Sequence, residues 1–284
     1  MVHAFLLIGQ SNMAGRGLLK DAASIRDTRI KVLRNGRWQV MWEPIHNDRP
    51  FAGVGPAASF AQAWLNDNPD GEIGLIPCAD GGSSLGEWMP GGPLFDHAVL
   101  QAKLAQRISV IDGILWHQGE TDCMPERIEV YAKKLQEMLQ TLRQELQLPK
   151  APILIGGLGD YLPRCTLHDY FVNAPRMNDV LLRYTQMHED TYFVTAQGLE
   201  SNADLLHFNA PSQRVFGFRY YRAYKSRASV LSPIDNEDEI LAVQQESANM
   251  TPEEKAAELK KQLDDGIITR QEYNFRIDTL ISGM

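Results

Sequence analysis

The sequence predicts an α/β fold: a three-layer α/β/α sandwich with a five-stranded parallel sheet, followed by a C-terminal α-helical hairpin. Three observations carry that prediction. Short apolar runs of strand length alternate with longer amphipathic stretches of helix length. Strands interleaved with helices in this way belong to a parallel sheet covered on both faces, with right-handed crossovers. The composition also changes after Arg227, where an acidic polar stretch precedes two capped helical segments.

Each element has its own signal. Ala4–Ile8 is an apolar run that opens the sheet, and Ala57–Leu65 has the spacing of a helix. A strand over Ile73–Pro77, a helix over Leu94–Arg107 and a strand over Val110–Trp116 follow. Pro125–Gln147 reads as a long helix, with proline suited to its first turn. Ile153–Gly156 is the fourth strand, Pro175–His188 a helix, Tyr192–Thr195 the fifth strand and Ala210–Arg227 the closing helix. Gly15–Gly55, rich in Trp, Arg and Pro, reads as a long irregular loop over one end of the sheet.

Beyond residue 230 the signals differ in kind. Residues 231–250 are acidic and weakly periodic, as a linker is. In residues 251–284, Thr251-Pro-Glu-Glu254 and Thr269-Arg-Gln-Glu272 are both capping boxes, and Asp264-Asp-Gly266 supplies the stop between them. A hairpin this short does not hold a core alone, so it is expected to pack on the main domain or on another chain.

Composition removes several function classes. The chain has 284 residues and a net charge of -8, with no Lys/Arg-rich block, so nucleic acid is not an expected partner. No apolar run approaches the roughly 18 residues that cross a bilayer. Cys78, Cys123 and Cys165 are odd in number and form no CxxC pair, which fits a reducing compartment rather than a disulfide framework or a cysteine zinc site. With no basic n-region at the N-terminus, a cytoplasmic protein is expected. The charge is also uneven: residues 231–284 contribute -7 of it, leaving 1–230 nearly neutral.

In open α/β sheets, ligands bind beyond the carboxyl ends of the strands. Four polar segments fall there: Gly9–Met13, Ala79–Ser84, Trp116–Asp122 and Asp204–His207. Together they offer complementary roles. Ser11 is a candidate nucleophile, His207 the base a serine hydroxyl needs, and Asp204 the group that fixes the imidazole tautomer. Gly81 and Gly82 permit close approach of backbone N–H donors to an oxyanion, and Gln118 and the Ser11 N–H are further donors.

The blocks IGQSNMAG (Ile8–Gly15), GVGPAASFA (Gly53–Ala61), IPCADGGSSLGEW (Ile76–Trp88), WHQGETD (Trp116–Asp122) and DLLHFNAPSQR (Asp204–Arg214) resemble the SGNH-type carbohydrate acetylesterases, the sialate O-acetylesterase and acetylxylan esterase group. The resemblance spans about residues 1–227. It implies a flavodoxin-like SGNH fold and deacetylation of a carbohydrate by a serine esterase, with no metal or cofactor. It assigns the nucleophile to Ser11, the base to His207, its partner to Asp204, and the oxyanion donors to Ser11, Gly82 and Gln118. Gln10, Asn12, Arg16 and Glu120, beside these positions, are the expected substrate contacts. Gln10 and Gln118 stand where the wider superfamily carries Asp and Asn, a variant typical of this group. No G-x-S-x-G elbow occurs, which separates the chain from α/β-hydrolases.

Two readings compete with this one: a non-catalytic carbohydrate-binding or scaffolding protein, and an esterase for non-sugar short-chain acyl esters. His46, Trp38, Trp42 and Trp88 are candidates for stacking on sugar rings or for packing the loop. Lys260–Ile281 resembles a SHOCT-type C-terminal module, for which a homo-oligomer or protein partner and a passive tail are equal expectations.

Overall fold

The structure is a computed structural model that describes residues 1–242 and 250–282. Its strands are β1 (Val2–Gly9), β2 (Ile30–Arg34), β3 (Arg37–Val40), β4 (Glu72–Pro77), β5 (Ser109–His117), β6 (Ile153–Gly156) and β7 (Thr191–Val194). They form one seven-stranded sheet in the order β3-β2-β4-β1-β5-β6-β7. The strand at its centre is β1, whose Ala4, Phe5, Leu6, Leu7 and Ile8 are all fully buried. A strand flanked by parallel neighbours and covered on both faces needs no polar side.

The helices are α1 (Ser11–Ala14), α2 (Ala57–Asp67), α3 (Pro93–Ala105), α4 (Pro125–Glu145), α5 (Ala174–Met187), α6 (Ala210–Ser226), α7 (Pro252–Asp264) and α8 (Arg270–Ser282). Contacts pair α2 with α6, while α3, α4 and α5 form a second packed group. Each segment from residue 1 to 227 read as a strand or helix in the sequence is present, with no end shifted by more than two residues.

The five-stranded sheet is corrected to seven. Residues 30–40, expected to be loop, form a hairpin: β2 pairs parallel with β4, and β3 pairs antiparallel with β2. The turn between them is Asn35-Gly36, with φ of 50° and 73°. Two left-handed residues joining Arg34 to Arg37 match the strand twist, and Asn-Gly is the pair that adopts them most readily. The hairpin extends the sheet at the β4 edge, and its Trp38 ring lies over Gly74 in β4.

The stretch after α6 is anchored at its start. Glu237 accepts two hydrogen bonds from the buried Arg219 of α6, at 2.6 and 2.8 Å. Residues 237–242 are helical and Ile240 is buried, so this part of the expected linker packs on the domain. Residues 243–249 of that linker lie outside the described residues. The hairpin follows with its Thr251 capping box complete: the Thr251 N–H donates to Glu254 at 2.7 Å, and the Glu254 N–H to the Thr251 hydroxyl at 3.2 Å.

At the second helix only half of the box forms. The Glu272 N–H reaches Thr269 Oγ1 at 3.2 Å, but the Glu272 carboxylate is drawn into a buried ion pair with Arg26. Trp42 meets Phe275 edge to face at 5.3 Å, and Arg276 reaches Ser24. The hairpin thus packs against its own domain, on the 15–55 segment.

Candidate active site

The site forms where β1 and β5 end. Gly9 closes β1 with φ of 126°, and a Cβ there would stand 2.0 Å from the His117 carbonyl. Only glycine lets the chain turn this close to β5. The Gln10 N–H then donates to the His117 carbonyl at 2.8 Å, and Ser11 follows at the first position of α1.

The second part comes from the loop before α6. Asp204 Oδ1 accepts the N–H groups of Leu206 and His207 at 2.9 and 3.0 Å, which curls the loop around the carboxylate. Asp204 Oδ2 lies 2.7 Å from His207 Nδ1, and His207 Nε2 lies 3.0 Å from Ser11 Oγ. A carboxylate accepts only, so Nδ1 carries the proton and Nε2 is left to accept from the serine hydroxyl. Burial opposes ionisation of Asp204, but the His207 ring and the two loop N–H groups outweigh it and hold the carboxyl down to about 2. The structure therefore brings together the three residues that the sequence singled out for nucleophile, base and orienting acid.

The 80–84 loop forms the wall beside Ser11. Its Asp80 N–H continues the β1 ladder to the Gly9 carbonyl at 3.0 Å. Two Arg–Asp pairs fix it from outside. Buried Arg16 holds Asp48 at 2.6 Å, and Asp48 accepts the Gly81 N–H at 2.9 Å. Arg49 binds Asp80 and the Gly81 carbonyl, the latter at 2.7 Å. Gly82 has φ of 81°, its Cβ direction faces open space, and its N–H has no acceptor among the described residues.

Gln118 is corrected from its expected place as a free donor. It is fully buried, and its Nε2 donates to Asp122 Oδ2 at 2.6 Å and contacts Gln10 Oε1 and the Ser83 carbonyl at 3.2 Å. Tyr131 donates to its Oε1 at 2.6 Å. An amide with both ends satisfied ties loops together and has no hydrogen left for an oxyanion.

The four expected substrate contacts are likewise turned inward. Gln10, Asn12, Arg16 and Glu120 are 3, 1, 7 and 1% exposed. Gln10 accepts from Gln118 and from the Thr121 N–H at 3.4 Å, joining the ends of β1 and β5. Arg16 is committed to Asp48, and Asn12 to Glu120. These side chains brace the site from beneath.

The stacking candidates are packing residues. Trp88 is 1% exposed, meets Trp116 edge to face at 5.6 Å and donates to Ser83 Oγ at 3.0 Å. Trp42 lies between Arg34 and Phe275. His46 is buried, and that burial lowers its pKa to about 4. The cysteines are free and buried, with burial pushing the Cys78 and Cys123 thiols up. Sequence reasoning missed Asp48 and Arg49, because their roles depend on Arg16 and Asp80 across the loop. No helix among the described residues is long and apolar enough to cross a membrane.

The profile of a family described as carbohydrate esterase, sialic acid-specific acetylesterase, matches residues 1–226. A protein of Arabidopsis thaliana described as a "probable carbohydrate esterase" is 31% identical over 247 residues, spanning 78% of this chain and 90% of its own. An X-ray structure of an Arabidopsis thaliana protein superposes with a TM-score of 0.70 at 29% identity, over 79% of this chain and 98% of that one. The crystal structure of NanS superposes with a TM-score of 0.62 at 19% identity, over 80% and 97% of the two chains. The C-terminal hairpin lies beyond the family match.

Proposed function

The chain belongs to the sialic acid-specific acetylesterase family of carbohydrate esterases, and we propose that it removes O-acetyl groups from a carbohydrate through an acetyl-enzyme intermediate on Ser11. The observation that carries this reading is the unbroken relay from Asp204 through His207 to Ser11, at 2.7 and 3.0 Å.

In the proposed reaction, Ser11 Oγ attacks the acetyl carbonyl carbon while His207 Nε2 takes the hydroxyl proton. Asp204 holds the imidazole in that tautomer and stabilises the imidazolium that forms. The oxyanion faces the N–H groups of Ser11 and Gly82; one donor of this kind is worth roughly 10²–10³ in kcat. On collapse, the C–O bond to the sugar breaks and His207 returns its proton to the leaving sugar oxygen. Water then attacks the acetyl-enzyme, giving its proton to His207, and acetate departs as Ser11 is reprotonated. The Arg16–Asp48 and Arg49–Asp80 pairs keep the Gly82 loop fixed through both steps. Pre-set donors of this kind need no reorganisation as charge develops.

The test is acetate release from acetylated xylan and O-acetyl sialic acid, with Ser11→Ala as control. Ser11→Ala is expected to lower kcat by roughly 10³-fold or more. A fluorophosphonate is expected to label the wild-type protein and not the variant. A binding or scaffolding protein would take no label, and a Ser11→Ala variant retaining most hydrolysis would overturn the reading.

A further inference from the structure

We propose that Asn12 is a positioning residue whose side-chain amide splints the segment bearing Ser11 to the segment bearing His207, with its direction set by buried Glu120. This rests on the serine esterase reading above and assigns a part of that site the reaction scheme does not use.

Asn12 follows the proposed nucleophile and makes one hydrogen bond on each side of the proposed base. Its Nδ2 donates to the Leu206 carbonyl at 3.3 Å, and its Oδ1 accepts the Phe208 N–H at 3.1 Å. His207 sits between those two backbone groups. The second hydrogen on Nδ2 goes to Glu120 Oε1 at 2.6 Å. From the helix that follows, Gln213 Nε2 donates to the Asn12 carbonyl at 3.1 Å, so the splint is itself anchored to α6.

The chemistry requires an amide in one orientation. Bridging the backbone around His207 takes a donor and an acceptor side by side, which Asn supplies and Asp does not. Turned over, the same amide would set its oxygen against both the Glu120 carboxylate and the Leu206 carbonyl. Glu120 therefore selects the useful orientation. At 1% exposure each, neither side chain is placed to meet a substrate.

The loop has reason to need holding. Leu205 has φ of 53°, a left-handed conformation that a branched residue adopts at a cost. Asp204, on the outer side, is 38% exposed. Besides Asn12, the Asn202 N–H holds the His207 carbonyl at 2.8 Å and the Tyr161 hydroxyl holds the Leu206 carbonyl at 3.4 Å, but neither reaches both sides of His207 as Asn12 does. A misplacement of about 1 Å between reacting groups costs on the order of 10² in rate.

The experiment compares Asn12→Asp, Glu120→Gln and the double variant by kcat, KM and thermal midpoint, with Ser11→Ala run in parallel. Asn12→Asp sets a carboxylate against Glu120 and is expected to lower kcat about 10²-fold with KM within about threefold. Glu120→Gln alone is expected to lower kcat less than about tenfold, since Gln can still accept from Asn12. In the double variant, the introduced glutamine amide donates to the introduced aspartate carboxylate, which restores the link between residues 12 and 120 and removes the carboxylate clash, while the Leu206 carbonyl still lacks its donor. We expect kcat to recover by about tenfold or more over Asn12→Asp, an interaction between neighbours that independent sites do not show. If Asn12→Asp does not fold, the neutral Asn12→Ser carries the same kcat-against-KM reading. Wild-type kcat in either Asn12 variant, a loss carried by KM, or no recovery in the double variant would overturn the proposal. Should Ser11→Ala abolish hydrolysis while Asn12→Asp does not lower kcat, only the splint fails. Should Ser11→Ala retain it, the esterase reading fails and takes the splint with it.

Discussion

Two carboxylate–histidine pairs with the same three-residue spacing lie at this end of the sheet, and they are opposites. Asp204 and His207 are 38 and 17% exposed, with Oδ2 and Nδ1 2.7 Å apart. Glu120 and His117 are 1 and 0% exposed, with Oε1 and Nδ1 3.9 Å apart. In the first pair, the far ring nitrogen of His207 lies 3.0 Å from Ser11 Oγ. In the second, neither ring nitrogen of His117 has a hydrogen-bond partner among the described residues. His117 is enclosed by Phe208 and Phe216, and burial lowers its pKa against the weaker pull of Glu120, which keeps the ring neutral. Spacing alone therefore does not make a charge relay. The two pairs differ in close contact and in a third group on the far nitrogen, and the first has both.

The largest test of that contrast is Asp204→Asn. Asn can keep its oxygen on the Leu206 and His207 N–H groups, which leaves its NH₂ facing His207 Nδ1. That forces the proton to Nε2 and takes away the acceptor that Ser11 needs. The same exchange in a serine protease costs about 10⁴ in kcat. With the pair partly open to water, a loss of roughly 10²–10⁴ is expected, read as acetate release at saturating substrate. A loss below about tenfold would mean that spacing and loop geometry, rather than the tautomer, carry the site.

How far the sequence reaches follows the same division. Ser11, Asp204 and His207 were legible because they stand at strand ends in short segments whose order and residue types suffice. The strands themselves were legible as apolar runs, down to Ile153–Gly156. Gln118, Asn12 and Glu120 were misread because polar residues are normally exposed, and nothing local announces that neighbours will bury them. The partner of Gln118 is Tyr131, on α4, and the partner of Asn12 is the backbone around His207. The β2–β3 hairpin is a different case. Asn35-Gly36 between two strand-like segments was a usable signal, hidden by the polar composition of residues 15–55. The half-formed cap at Thr269 was unreadable, since Arg26 claims Glu272 only once the hairpin docks.

The inert pair predicts a much smaller effect. His117→Leu removes two buried nitrogens that lack partners, a relief of about 1–3 kcal/mol by the usual cost of an unsatisfied group. The shape change in a packed interior costs about the same. The two nearly cancel, so a shift in thermal midpoint of only a few degrees is expected. The kcat value should stay within about threefold, because no step of the proposed reaction uses His117. A fall in kcat comparable to that of Asp204→Asn would erase the contrast and give the buried pair a share in the chemistry.

The finest distinction lies in how stability follows pH. Asp204 titrates at about 2 in the folded protein, below the unfolded value near 3.9. Its contribution is therefore fully present above about pH 4 and is lost as pH falls through about 2. The pair is partly exposed, so water screens it and the contribution is small. His117 works in another window. Its folded pKa lies below the unfolded value near 6.5, so the unfolded chain takes up the proton first and stability declines as pH drops below about 6.5. Denaturant midpoints of wild type, Asp204→Asn and His117→Leu between pH 2 and 8 separate the two. The gap between wild type and Asp204→Asn should close between about pH 4 and 2, while His117→Leu gains on wild type from about pH 6.5 downward. If both gaps moved in one window, the two pairs would be titrating as a single network, and the contrast between open relay and buried bystander would fail.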